Sequence, residues 1–125
     1  KIFMIIYYRN HENKFFKHHY NFINKLTKNK KVVIFGDYIK IPKTSYVGKL
    51  NRVEILKYLK HSRYSLSGDD NLLSLFNLEC LRNDVKIIYN YKLKFQIPKN
   101  LVKYYIPYNY EKKKFLYKSI FWLNR

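Results

Sequence analysis

Apolar residues follow two kinds of pattern along this chain. Continuous runs at residues 2–8, 32–35 and 85–89 read as strands buried on both faces, and residues 45–47 and 64–66 read as shorter ones. Between them the apolar positions recur at helical spacing. Phe15, Phe16, His19, Phe22, Ile23 and Leu26 mark a first helix, and Val53, Leu56 and Leu59 a second. Leu72, Leu75, Phe76 and Leu78, with Glu79, mark a third that begins near Asn71. Residues 104–107 read as extended and residues 110–123 as a terminal amphipathic helix. The stretch 91–100, which contains Pro98, is expected to be the most mobile loop. Strands alternating with helices through short links predict an α/β domain: a Rossmann-like parallel sheet with helices on both faces, filling 1–125 as one unit. No repeat and no linker interrupts it.

Composition narrows the class. At 125 residues, with 47% hydrophobic and 19% aromatic content, the chain has enough apolar surface for one core. Cys80 is the only cysteine, so no internal disulfide framework is possible; a reducing, cytoplasmic setting is expected, with Cys80 as a small core residue. No apolar run approaches the roughly 20 residues of a membrane-spanning helix. The first residues lack the pattern of a secretory leader, and the start on Lys1 rather than Met is expected of a piece of a longer protein.

A net charge of +18 normally directs attention to nucleic acid or anionic membranes. Here only five of the 26 basic residues are Arg, there is no Ala, and Lys, Asn, Ile, Tyr and Phe abound. Those five are the amino acids of AT-rich codons, so base composition accounts for much of the charge. The lysines are also spread along the whole chain. A generally basic surface suited to peripheral contact with anionic lipid is expected, and specific nucleic-acid binding is not.

In open parallel sheets, ligands bind beyond the carboxyl ends of the strands, where helices begin. Four junctions qualify: residues 9–14, 36–38, 48–52 and 67–71. No Gly-x-Gly-x-x-Gly cradle, P-loop or nucleophile-elbow serine is present. The four histidines, His11, His18, His19 and His61, have no metal-ligand spacing with one another or with Cys80, so no metal or cofactor is expected.

Five pieces of the chain, taken in order, carry a resemblance. They are YYRNHENK, with Arg9 and Lys14 five apart; VVIFGDY; SYVGKLNRVEILKYL; YSLSGDDNLLSLFNLEC; and VKIIYN. Together they resemble the carboxyl-terminal, donor-binding domain of GT-B glycosyltransferases, especially the group 1 type, over about residues 2–90. The resemblance implies a hexosyltransferase-type enzyme that binds a nucleoside-diphosphate sugar. It implies that Arg9 and Lys14 bind the diphosphate, with Gly36, Gly48, Ser74 and Leu75 around the donor and residues 47–50 flanking the base. Glu79 would accept hydrogen bonds from the ribose hydroxyls, a task suited to an ionised carboxylate.

One position departs from the family pattern. A first Glu belongs eight residues before Glu79; Asn71 stands there, with Asp70 one position earlier, while Leu72 and Ser74 replace frequent glycines. Asp70 and Asn71 therefore occupy the catalytic position, and Asp69, Asp70 and Asn71 are open to a second reading as helix caps. The acceptor, a glycan or lipid-linked sugar, would be held by an amino-terminal domain outside this chain, and the isolated chain is expected to be inactive. Two alternatives stay open: a non-catalytic binding module of the same fold, and a basic RNA-binding α/β domain.

Overall fold

The computed structural model describes residues 1–10 and 17–116. Among these residues seven strands form one sheet: β1 (Ile2–Tyr8), β2 (Val32–Gly36), β3 (Ser45–Tyr46), β4 (Ser62–Leu66), β5 (Lys86–Asn90), β6 (Tyr105–Asn109) and β7 (Lys114–Phe115). Their order is β3-β2-β1-β4-β5-β6-β7. All neighbours are parallel except β6 and β7. Helices α1 (Lys17–Leu26), α2 (Arg52–Leu59) and α3 (Leu75–Arg82) make three of the connections. The architecture is the expected Rossmann-like α/β sheet.

Successive side chains of a strand face opposite sides of the sheet, and the core divides accordingly. Met4 and Ile6 of β1 join Val32 and Ile34 of β2 and Phe22 and Ile23 of α1 in one cluster. Ile5 and Phe35 join Leu59 of α2, Cys80 of α3, Ile87, Tyr89 and Ile97 in the other. Strand β2 is buried at all five positions, as a central parallel strand should be. Cys80 is fully buried in the second core, and that burial pushes its thiol up to about 12. Among the described residues no helix is long and apolar enough to cross a membrane.

Three elements differ from expectation. Helix α3 begins at Leu75 rather than near Asn71, because Ser74 takes the cap: its Oγ accepts from the Asn77 amide at 3.1 Å. The stretch expected to be mobile is a pair of 3-10 helices, Tyr91–Gln96 and Lys99–Tyr104, that packs Leu93, Ile97, Leu101 and Val102 against the second core. The terminal helix is absent from the described part of its segment. There the Asn109 Oδ1 accepts from the amides of Glu111 and Lys112, both at 3.0 Å, Lys113 turns with φ 53°, and β7 returns antiparallel on β6. Residues 117–123 of that predicted helix lie outside the described residues.

Candidate functional site

The connections decide where a crevice opens. From β1 the chain crosses to β2 on one side, and from β4 it crosses to β5 on the other. Strands β1 and β4 are neighbours, so the topological switch point falls between their carboxyl ends, at Tyr8–Arg9 and Leu66–Ser67. Two adjoining chambers occupy this place. The larger, of about 810 Å³, has an apolar wall of Tyr7, Phe35, Leu50, Ile55, Leu56 and Phe76. Its charged rim carries Arg9, Lys49, Arg52 and Arg82 against Asp37 and Glu79. The smaller, of about 380 Å³, is polar: Ser67, Gly68, Asp70, Asn71, Ser74 and Asn77 line it. Tyr7, Arg9, Leu75 and Phe76 belong to both and mark the passage between them.

Local sequence explains this arrangement. Tyr7 stacks on Phe35 with ring centroids 4.8 Å apart, and Phe76 meets both rings edge-on, which builds a rigid floor. Asn51 caps α2 in a reciprocal box with Glu54, at 2.9 and 3.0 Å, and so fixes where Arg52 leaves the helix. Asp37 ties the end of β2 to the end of β1: its Oδ2 accepts from the Asn10 amide at 3.0 Å, and its own amide donates to the Tyr8 carbonyl at 2.8 Å.

Glu79 sits between two guanidinium groups. Its Oε1 lies 2.8 Å from Nη1 of Arg82, one turn on in α3, and 3.3 Å from Nη2 of Arg52 on α2. Partial desolvation pushes the Glu79 carboxyl up, but the hydrogen bonds and charges of the two arginines outweigh it and hold the group below its ordinary value. A carboxyl whose folded pKa is depressed stabilises the fold above its unfolded value, and the contribution disappears as pH falls through the lowered one. Wild type should therefore melt slightly higher than Glu79→Gln at neutral pH, with the gap closing through the acid range. A gap that persists or widens in acid would show that the two arginines do not hold this carboxylate ionised.

Of the residues singled out in the sequence, Arg9, Gly36, Asp70, Asn71, Ser74, Leu75 and Glu79 converge on these chambers. Gly48 lines neither of them; its carbonyl accepts from the Gly36 amide at 3.0 Å and supports the turn there. Lys14 lies outside the described residues. Asp69, Asp70 and Asn71 do not cap α3. Asn71 Oδ1 instead accepts from the Leu73 amide at 2.9 Å and shapes the loop before the helix.

Arg52 falls within the 48–52 junction but nothing in the sequence singled it out, and Arg82 was missed. Arg52 meets Glu79 across 27 positions, a separation no local pattern reveals. Composition did hold a signal, because arginine is rare in this lysine-rich chain and three of its five arginines line one chamber. Large apolar side chains are also exposed around this end of the sheet. Tyr38, Val53, Leu75 and Phe95 all belong to segments that leave a strand's carboxyl end or open a helix there.

The fold and the crevice define an α/β domain with an arginine-rimmed double chamber at its topological switch point. No family model matches the chain, and neither the curated proteins nor the solved structures yielded a match.

Proposed function

We propose that this chain is the donor-binding half of a GT-B-type glycosyltransferase and holds a nucleoside-diphosphate sugar across the two chambers. The concentration of three scarce arginines around one apolar chamber carries the reading. Arginine's planar fork binds phosphate oxygens two at a time, which lysine cannot do, so its use here in place of the abundant cation points to an anionic oxygen ligand. Among the described residues, four cations against two carboxylates on the rim leave a surplus that complements a diphosphate.

In this reading the base and ribose enter the apolar chamber, the sugar enters the polar one, and the diphosphate lies at the passage. Arg9 and the amides that open α3, at Leu75 and Phe76, stabilise the charge that gathers on the diphosphate as the glycosidic bond breaks. Glu79, kept ionised by Arg52 and Arg82, accepts from the ribose hydroxyls, and Asp70 and Asn71 face the sugar. A second domain presents the acceptor, a glycan or lipid-linked sugar, and would cover the apolar residues exposed along the rim. Peripheral contact with anionic lipid is compatible with the basic surface. One observation favours a non-catalytic relative: the Asn71 side chain is used to shape its own loop.

Calorimetric titration with UDP, GDP, ADP and CDP tests the binding. At least one should bind, and Arg9→Ala should weaken it about tenfold, the scale of one charge-assisted hydrogen bond, while Arg63→Ala on β4 leaves it unchanged. Absence of binding to all four, or equal effects of the two substitutions, would remove this reading.

A further inference from the structure

The neighbouring acids Asp69 and Asp70 part company in the folded chain. Asp70 lines the polar chamber, whereas Asp69 lines neither chamber. The Asp69 Oδ1 lies 3.4 Å from Nε2 of His19, a fully buried side chain on α1. Its Oδ2 accepts from Asn90 Nδ2, at the end of β5, at 3.3 Å. The Tyr110 ring packs 5.2 Å from the His19 ring, and the Tyr110 hydroxyl is raised well above its ordinary value, first by burial and then by the charge of Asp69. Three elements from one flank of the sheet thus converge on one carboxylate. Ser74 already caps α3, so Asp69 is not needed for that.

The same loop is gripped from its other end. Gln96 of the first 3-10 helix donates from Nε2 to the Asp70 carbonyl at 2.9 Å, and its Oε1 accepts from the Leu72 amide at 2.8 Å. Asp70 and Asn71, with Gly68 just before, stand at these grips and line the polar chamber. Burying a histidine beside a carboxylate is costly unless each finds a partner, and the two approach within ion-pair reach, at 3.4 Å, next to residues that line the polar chamber.

We propose that His19 and Asp69 form a positioning pair that fixes the 67–71 loop, so that Asp70 and Asn71 are presented to the polar chamber. The positioning role stands on geometry alone; the consequence for a sugar ligand rests on the glycosyltransferase reading. The pair should govern how tightly the group in the polar chamber is held, and not the diphosphate at the passage.

The test uses His19→Leu, which removes the contact, His19→Gln, which keeps a donor near the position of Nε2, and Asp69→Asn, which keeps the shape and removes the charge. Amide hydrogen exchange at residues 67–73 should speed about tenfold in His19→Leu while β1 and β2 stay protected, and His19→Gln should recover most of the protection. For whichever of UDP-glucose and GDP-mannose binds, affinity should fall about tenfold in His19→Leu with the parent diphosphate within about twofold, again with recovery in His19→Gln. If His19→Leu does not fold, Asp69→Asn is expected to give the same pattern at smaller size. Unchanged loop exchange, equal weakening of sugar nucleotide and diphosphate, or a His19→Gln no better than His19→Leu would overturn the proposal. A loosened loop in a protein that binds none of UDP, GDP, ADP and CDP would support the positioning pair and remove the glycosyltransferase reading.

Discussion

Gly36→Ala is expected to destabilise this protein by about 3 kcal/mol or more, and to lower its melting temperature by roughly 10 °C. Gly36 closes β2 with φ 105°, a backbone region that L side chains avoid. Space is also lacking there: an added Cβ would fall inside contact distance of the Tyr8 carbonyl oxygen and 2.9 Å from the Tyr7 ring. Neither neighbour can retreat. The Tyr8 carbonyl accepts from the Asp37 amide at 2.8 Å, and Tyr7 is stacked on Phe35. The Gly36 carbonyl in turn accepts from the Tyr46 hydroxyl, so movement at this turn reaches β3.

Gly48 supplies the control. It also has a positive φ, 89°, but a Cβ there would meet nothing within 4 Å. Gly48→Ala should therefore cost only backbone strain, about 1–2 kcal/mol. Thermal melts of the two variants separate steric from conformational cost. If Gly36→Ala is no worse than Gly48→Ala, the close approach of β1 to the Gly36 turn is not as described.

The unequal roles of these two glycines show what the sequence makes legible. Both end apolar runs, and both invite the reading of a ligand-facing turn, yet only Gly36 lines the cleft. The sheet was readable because buried parallel strands are continuous apolar runs that need no partner to be recognised: 2–8, 32–35 and 85–89 all fall within a residue or so of observed strands. Segments shaped by side-chain to backbone bonds were not. Asn109 folds the chain back through two amides, and an apolar pattern of helical period in the residues that follow gave no hint of it. Gln96 anchors a segment that its proline marked as loose.

The site divides the same way. Arg9 stood out at a strand end, where ligands of such sheets bind, and Glu79 through the motif resemblance. Their surroundings, with Arg52 across from Glu79 and His19 behind Asp69, come from tertiary contacts between residues 27 and 50 positions apart.

Leu72→Ala should be the most damaging substitution near the site that touches no ligand, at about 2–5 kcal/mol. The sequence puts Leu72 on the same helix as Leu75, with nothing to rank them. In the fold they are opposites: Leu72 is fully buried and Leu75 is 85% exposed at the first position of α3. Leu72 also fastens the loop through its backbone. Its amide donates to Gln96, and its carbonyl accepts from the Tyr105 hydroxyl at 2.6 Å and from Asn77 Nδ2 at 3.0 Å. Those bonds hold the residue where its side chain fills the core beside Tyr105 and Ile97, so truncation leaves a void that the backbone cannot collapse to close. Leu75→Ala, by contrast, should change stability by no more than about 0.5 kcal/mol, because its side chain is already in water. Denaturant unfolding of both variants decides the matter. Equal costs would mean that the helix begins near Asn71 after all, which would return Asp69, Asp70 and Asn71 to a capping role and remove the separate loop that forms the polar chamber.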